Sequence, residues 1–216
     1  METNKRDACL VFIPQLMLYA IFVSRASMST IVLRTIAAVC IAVSASGCKT
    51  VQVMTEAQPG TAAEAARLAG RWVDAGGDAA SATTWSRKVA AGVSAKEIEE
   101  AFASVAAEAN LRPVGELFLS KELTARSGQD EKFLKIYSYC DPATARAIVD
   151  FNPAMAAFLP CRIAVVEQAD GLWLYAMNMD VMLRLGRPMP PSLHTSVLRV
   201  RETMLKMLDR AAAGDF

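Results

Sequence analysis

The chain has 216 residues, enough for one domain with additional segments rather than for two full domains. Its hydrophobic content of 53% is high, whereas 23 Lys and Arg nearly balance 22 Asp and Glu. The charge balance excludes the clustered positive charge that nucleic-acid binding requires, and the hydrophobic content indicates an apolar segment outside any ordinary core.

Two apolar stretches near the N-terminus, residues 10–23 and 31–45, account for this excess. The second stretch, read from Met28, has a short start with Arg34, then an apolar run, then small residues before Cys48. The run is shorter than the roughly 20 residues that a membrane-spanning helix needs. This layout is typical of a secretory signal, and the alternative is that one or both stretches are membrane helices.

The end of the second stretch, Ala45-Ser46-Gly47-Cys48, resembles the bacterial lipobox, although Ala45 stands where leucine is commonest. The resemblance implies that Cys48 is lipidated, for example with palmitate, and becomes the first residue of the mature chain. Lys49 rather than aspartate follows it, which in this class of signals implies sorting to the outer membrane. The expected location is therefore the cell envelope, with the domain facing the periplasm.

The chain is expected to divide into four parts. Residues 1–27 are interpreted as an upstream over-extension of the start site, and residues 28–47 as the lipoprotein signal peptide. Residues 48–82, rich in Ala, Gly, Thr and Glu, predict a tether, and residues 84–216 predict a single domain. From Cys48 onward, 19 Lys and Arg face 20 Asp and Glu, so the expected membrane partner is reached through the acyl anchor and not through charge.

Strand and helix signals alternate along the first half of the domain. Residues 83–90 predict a strand, and the capping box Ser94-Ala95-Lys96-Glu97 predicts a helix that ends at Asn110. Two further strands are predicted over residues 112–123 and 131–140, joined by a polar turn.

The second half continues with a helix start at Asp141-Pro142, where aspartate is the cap and proline takes the first helical position. Strands are predicted over residues 161–167 and 172–177, joined by a hairpin turn at Asp170-Gly171. A final helix is predicted over about residues 193–212, with Ser192 as its cap. Its buried stripe is Val197, Val200, Met204 and Leu208.

These elements predict an α+β fold. The expected architecture is a single, mostly antiparallel sheet of about five strands, with helices packed on one face.

Three short motifs lie in the second half of the domain, namely Cys140-Asp141-Pro142, Leu159-Pro160-Cys161-Arg162 and Met177-Asn178. Together they resemble the pattern of the family known as domain of unknown function 302. The resemblance covers about residues 84–185 and implies the fold of that family without a settled activity. The sequence departs from the family pattern at Met179-Asp180, where proline often follows.

Cys140 and Cys161 are the main candidate site. Because side chains alternate along a strand, Cys140 shares a face with Leu134 and Ile136, and Cys161 shares a face with Ile163. If the two strands are antiparallel neighbours, both thiols lie on the apolar face at the same end of the sheet. Outside the cytoplasm such a pair would oxidise to a disulfide.

Two alternatives to the disulfide stay open. Both cysteines could be reduced thiols buried in the core, where cysteine is common as a small apolar residue. They could also form a redox-active pair whose pKa values are lowered by Arg162 and by the start of the helix after Cys140.

Methionines after the last strand suggest a soft-metal site. Met177, Met179 and Met182, with His194 nearby, offer the thioether and imidazole ligands that suit Cu(I), although methionine is also a common gap filler in cores. His194 is the only histidine and no nucleophile motif accompanies it, so no catalytic residue is predicted. No cofactor motif is present either.

The aromatic residues predict a binding surface. If the face of Cys140 is the core face, then Tyr137 and Tyr139 lie on the opposite face, with Trp173 and Tyr175 beside them. Helices on one face leave this aromatic face free for a partner, and a second copy of the domain is the expected partner. Arg162 and Asn178 are the other candidate ligand-surface residues.

The sequence therefore predicts an envelope lipoprotein domain that binds an unidentified ligand or partner without catalysis. The alternative is thiol redox chemistry or copper handling through Cys140 and Cys161 with the three methionines.

Overall fold

The computed structural model describes residues 57–215. Within this range, every neighbouring pair of strands in the one five-stranded sheet is antiparallel, in the order β1-β5-β4-β3-β2. The predicted architecture is therefore confirmed. The strands are β1 (Thr84–Lys88), β2 (Arg112–Leu117), β3 (Leu134–Cys140), β4 (Cys161–Gln168) and β5 (Gly171–Met177).

Helices connect the strands and extend beyond them. They are α1 (Thr61–Asp74), α2 (Ala79–Ala82), α3 (Ala95–Glu108), α4 (Leu119–Ser127), α5 (Pro142–Phe151), a 3-10 helix (Pro153–Phe158), α6 (Met179–Leu185) and α7 (Pro191–Ala213). Helices α3 and α7 pack against each other and against one face of the sheet, as predicted. The predicted stripe of α7 (Val197, Val200, Met204, Leu208) is buried.

Two of these helices begin with capping interactions at the residues that the sequence predicts as caps. The N–H of Glu97 donates to Ser94 Oγ (3.3 Å), and the N–H of Ser94 donates to the Glu97 carboxylate (2.7 Å), which completes the capping box. Asp141 accepts hydrogen bonds from two backbone N–H groups at the start of α5. The predicted cap of α7 is wrong, because that helix begins after Pro190 and Ser192 does not cap it.

The segment predicted as one strand over residues 112–123 divides into two elements. Only its first half forms β2, and the chain then turns into α4. The buried Ser120 explains the difference, because its Oγ accepts a hydrogen bond from the N–H of Leu134 (3.0 Å) and so attaches the start of α4 to β3. The hydrophobic periodicity of so short a segment cannot distinguish a helix from a strand.

Residues 58–82, which were expected to belong to a tether, contain α1 and α2. Helix α1 contacts α6, and the Thr61 hydroxyl donates to the backbone oxygen of Arg184 (2.8 Å). The compact unit extends over Gln58–Phe216, so it begins earlier than the boundary expected at residue 84.

The predicted signal peptide and Cys48 lie outside the described residues. Among residues 57–215, no helix combines the length and the apolar character that crossing a membrane requires.

The main core lies between the sheet and the α3–α7 layer. Phe102 of α3 is at its centre with 0% of its surface exposed. The other largest fully buried side chains are Ile98, Val105, Ile163, Val165, Leu174, Met204, Met207 and Leu208. A second, smaller core joins α5, α6 and the first half of α7 through Ile148, Leu183, Leu193 and Val197.

Candidate functional site

The two cysteines lie on neighbouring antiparallel strands, but the register separates their side chains. Tyr139 is the residue directly opposite Cys161, so these two share the core face of the sheet. Cys140, one residue further along β3, lies on the opposite face. Both thiols are free. The expectation that they share one apolar face is therefore wrong, and the disulfide that depended on it is not present.

The surroundings of the two thiols keep them protonated. Burial and, to a smaller extent, the neighbouring Cys140 raise the pKa of Cys161 to about 11, and the charge of Arg162 offsets only part of this rise. Burial and the charge of Asp141 raise the pKa of Cys140. The suggestion of lowered pKa values is wrong, and Cys161 packs against the main core as a small apolar side chain, as one alternative proposed.

The methionines and the histidine of the predicted soft-metal site lie in different surroundings. Met177 ends β5 with 37% of its surface exposed, whereas Met179 begins α6 and packs against both cores. Met182 lies within α6 and His194 within α7. In the part of the chain that the structure describes, no three or more His, Cys, Asp or Glu side chains are grouped so that they could hold a metal ion.

Asn178 has a structural role. It is 4% exposed, its Oδ1 accepts a hydrogen bond from the N–H of Asp180 (3.0 Å), and its own N–H donates to the backbone oxygen of Thr83 (2.8 Å). It therefore caps α6 and joins it to the residue that precedes β1, and the interpretation as a ligand-surface residue is wrong.

The predicted aromatic face divides between the two sides of the sheet. Tyr137 and Tyr139 are buried on the core face, 2% and 6% exposed, with ring centroids 5.3 and 6.3 Å from that of Phe102. Trp173 and Tyr175 do lie on the other face, as predicted, and their rings stack at 6.2 Å. The prediction for the two tyrosines of β3 is wrong because it took the face of Cys140 as the core face.

The open face is the side of the sheet away from α3 and α7. One residue from each strand forms a continuous row across it, namely Ser86, Tyr175, Ala164, Ile136 and Leu117. Lys88, Trp173, Val166 and Leu134 form a second row. Within residues 57–215, no member of either row belongs to a hydrophobic core cluster. The exposed Arg162 lies on this face opposite Ser138.

A buried lysine on the core face connects three elements. The Lys135 Nζ atom lies 2.8 Å from Glu99 Oε1 on α3 and 2.9 Å from Glu116 Oε2 on β2. The Tyr137 hydroxyl donates to the same Glu99 oxygen at 2.6 Å. We call Glu99, Lys135 and Glu116 the charged triad. The triad was not predicted from the sequence, although the alternation of side chains along β3 places Lys135 on the same face as Tyr137 and Tyr139.

The pKa values of Glu99 and Lys135 are both shifted in the direction that favours their charged forms. Burial acts to raise the pKa of Glu99, but hydrogen bonds from Lys135 and Tyr137 outweigh it and hold this pKa below its ordinary value. Burial acts to lower the pKa of Lys135, yet hydrogen bonds to Glu116 and Glu99 raise it above its ordinary value. The triad therefore joins α3, β3 and β2 through charged groups.

A pocket of about 470 Å³ lies beside the triad, between α3 and β2. We call it the α3–β2 pocket. Its lining includes Glu99, Ala103, Ala107, Glu116, Tyr137 and Tyr139. Every residue of β2 is exposed, so this edge strand stands apart from α3 and leaves the gap.

Comparisons with known proteins agree with the motif resemblance. The search of curated proteins found no match. The solved structure of an uncharacterized conserved protein DUF302 from Bacillus stearothermophilus is similar, with 17% identity, a TM-score of 0.47, and coverage of 60% of this chain and 98% of that chain. The family model described as "Domain of unknown function DUF302" matches residues 85–211, which is more than half of the chain. The chain therefore belongs to the DUF302 family, whose function is unknown.

Proposed function

We propose that this chain is a non-catalytic binding protein of the bacterial cell envelope that associates with a second copy of itself through the open face. The observation that carries the proposal is a sheet with helices α3 and α7 on one face and a largely apolar row on the other. Such a face in water favours association, because burying apolar surface is the main driving force for protein contacts.

The size of the open face supports a second copy as the partner. At a strand spacing of about 4.8 Å and a rise of about 3.4 Å per residue, the face measures roughly 24 Å by 20 Å. Two facing copies would cover roughly 1,000 Å² in total, the area at which specific interfaces begin.

The distribution of side-chain sizes also supports a symmetric pair. Ala164 is the small residue of the central strand, between Tyr175 and Ile136 in the first row. A two-fold axis near Ala164 would bring this small side chain against the same residue of the second copy, so the centres of the two sheets could approach closely. Lys88 lies on the edge strand and Arg162 at one end of β4, so neither charge is at the centre of the face.

Ala164→Lys is expected to weaken self-association at least ten-fold, because it places an ammonium group in the centre of the apolar row. Light scattering coupled to size-exclusion chromatography, on the full chain in mild detergent, measures the mass of the protein. Ala147→Lys, on the exposed side of α5, is the matched control and is expected to retain the dimer. A wild-type protein that is only monomeric at tens of micromolar would refute the proposal.

Attachment to the outer membrane through Cys48 is part of the same proposal. The support is the lipobox-like sequence before Cys48 and the nearly neutral domain, which offers no excess positive charge for anionic lipid. The proposal does not include redox chemistry or copper binding through Cys140 and Cys161, because the two thiols lie on opposite faces of the sheet and their pKa values are raised.

Cys48→Ser is expected to abolish labelling of the chain by an alkyne analogue of palmitate fed to expressing bacteria, because the thiol is the acylation site. Gel fluorescence after coupling to a dye measures the label. Cys40→Ser removes a thiol from the preceding apolar run and should leave the label unchanged. A Cys48→Ser chain that keeps its label would show that the acyl group is attached elsewhere.

A further inference from the structure

The α3–β2 pocket has the size of a small-molecule site. Its volume of about 470 Å³ falls in the range of roughly 300–1,000 Å³ that such sites occupy. The register between β2 and β3 shifts between Pro113 and Gly115, and irregularities of this kind bend an edge strand. The bent, exposed β2 thus forms one wall of the pocket while α3 forms the other.

The wall formed by α3 is made of small apolar residues. Ala103, Ala106 and Ala107 line the pocket, and the rings of Tyr137 and Tyr139 line it from the sheet. This combination of alanines and aromatic rings provides an apolar space for a flat ligand body.

Tyr139 contributes a largely buried hydroxyl group to the pocket. The residue is only 6% exposed, and its hydroxyl makes no hydrogen bond to any residue within 57–215. Among these residues, every fully enclosed side-chain nitrogen or oxygen has a partner, so the Tyr139 hydroxyl is reached from the pocket. Burial raises the pKa of Tyr139 to about 12, which keeps the hydroxyl protonated. A ligand atom would satisfy this group.

The charged triad gives the pocket an excess of negative charge. One ammonium group, that of Lys135, serves two carboxylates, so the triad carries a formal charge of −1. In the described part of the chain, Glu99 Oε2 and Glu116 Oε1 have no partner. Arg112 also borders the pocket, but it pairs with Cys140 in the register, and its side chain therefore belongs to the open face.

We propose that the α3–β2 pocket binds a small organic cation, an apolar ring that carries a protonated amine. The ring lies against the three alanines and the two tyrosine rings. The ammonium group donates to the free carboxylate oxygens of Glu99 and Glu116 and to the Tyr139 hydroxyl oxygen. The pocket is on the helix-covered side of the sheet, so this inference is independent of self-association through the open face.

Three probes with the same phenyl ring test the proposal, namely 2-phenylethylamine, 2-phenylethanol and 3-phenylpropionate. Isothermal titration calorimetry on the full chain in mild detergent is expected to show the amine binding about ten-fold more tightly than the alcohol. The carboxylate is expected not to bind, because the triad repels it. Equal affinities for the three probes, or no binding of the amine at about 10 mM, would overturn the proposal.

Two variants locate the binding. Tyr139→Phe is expected to weaken the amine about ten-fold, with thermal unfolding measured in parallel to show an intact fold. Ala103→Trp fills the pocket from an exposed helix position and is expected to abolish binding, whereas Ala147→Trp on α5 should retain it. Amine binding that survives both Tyr139→Phe and Ala103→Trp would place the site elsewhere and refute the proposal.

Discussion

Replacing Phe102 by alanine is expected to lower the free energy of unfolding by about 4 kcal/mol, the range for a large aromatic side chain removed from a core. Phe102 has 0% of its surface exposed and meets the edges of Tyr137 and Tyr139. Its removal would leave a cavity where α3 meets the centre of the sheet, because the rigid strands around it cannot collapse into the space. Urea unfolding followed by circular dichroism measures the change.

Phe158→Ala is the matched control for this prediction. Phe158 lies in the 3-10 helix, is 38% exposed and belongs to neither core. The same chemical change there is expected to lower the stability by less than about 1 kcal/mol. Similar losses for the two variants would contradict the position of Phe102 at the centre of the core.

Lys135→Met is expected to lower the free energy of unfolding by about 2 kcal/mol at pH 7. The change keeps most of the apolar stem but removes the ammonium group from Glu99, Glu116 and the face of the Tyr137 ring, 4.6 Å away. The loss stays below that of a fully buried ion pair, because the Glu99 and Glu116 side chains are 41% and 58% exposed and water reaches them.

The effect of Lys135→Met is expected to depend on pH in a defined direction. The folded-state pKa of Glu99 is lowered, so its ion pair stabilises the fold above the ordinary value of 4.5 and is lost as the pH falls through the folded-state pKa. The pKa of Lys135 is raised, so its contribution is complete below 10.5 and is lost as the pH rises through the folded-state pKa. The difference between wild type and variant should therefore be constant near neutrality and shrink below pH 4.5.

Lys132→Met tests whether the triad causes this effect. Lys132 lies three residues before Lys135 and is exposed in the loop before β3. Its replacement is expected to change the free energy of unfolding by less than about 0.5 kcal/mol. The difference from wild type should not depend on pH in the acid range. A Lys135→Met variant as stable as Lys132→Met at pH 7 would show that the triad contributes nothing to the fold.

The charged triad also links the stability of the fold to the α3–β2 pocket. Lys135 holds β2 to the rest of the sheet through Glu116, and the same contact sets the charge at the pocket. Because β2 is an exposed edge strand, this ion pair is one of the contacts that keep the second wall of the pocket in place.

The elements whose signals are local could be predicted from the sequence. The capping box at Ser94 and the Asp141-Pro142 helix start appear where they were predicted. The hairpin predicted at Asp170-Gly171 is present, but its two turn residues are Ala169 and Asp170, one position earlier. Each depends on residues within three or four positions of one another, so the interactions that form it are already contained in the segment. The single antiparallel sheet with one covered face then followed from the alternation of helix and strand signals.

The buried face of β3 depends on contacts between distant parts of the chain. By hydrophobicity, Leu134 and Ile136 are better core residues than Lys135 and Tyr137, so the sequence predicts the opposite face as the core face. Glu99, which precedes Lys135 by 36 residues, makes the burial of Lys135 and Tyr137 possible, because it accepts hydrogen bonds from both polar side chains. The positions of Cys140 relative to Cys161, and of the pocket beside the triad, depend on that same long-range contact and on a strand register that no local pattern specifies.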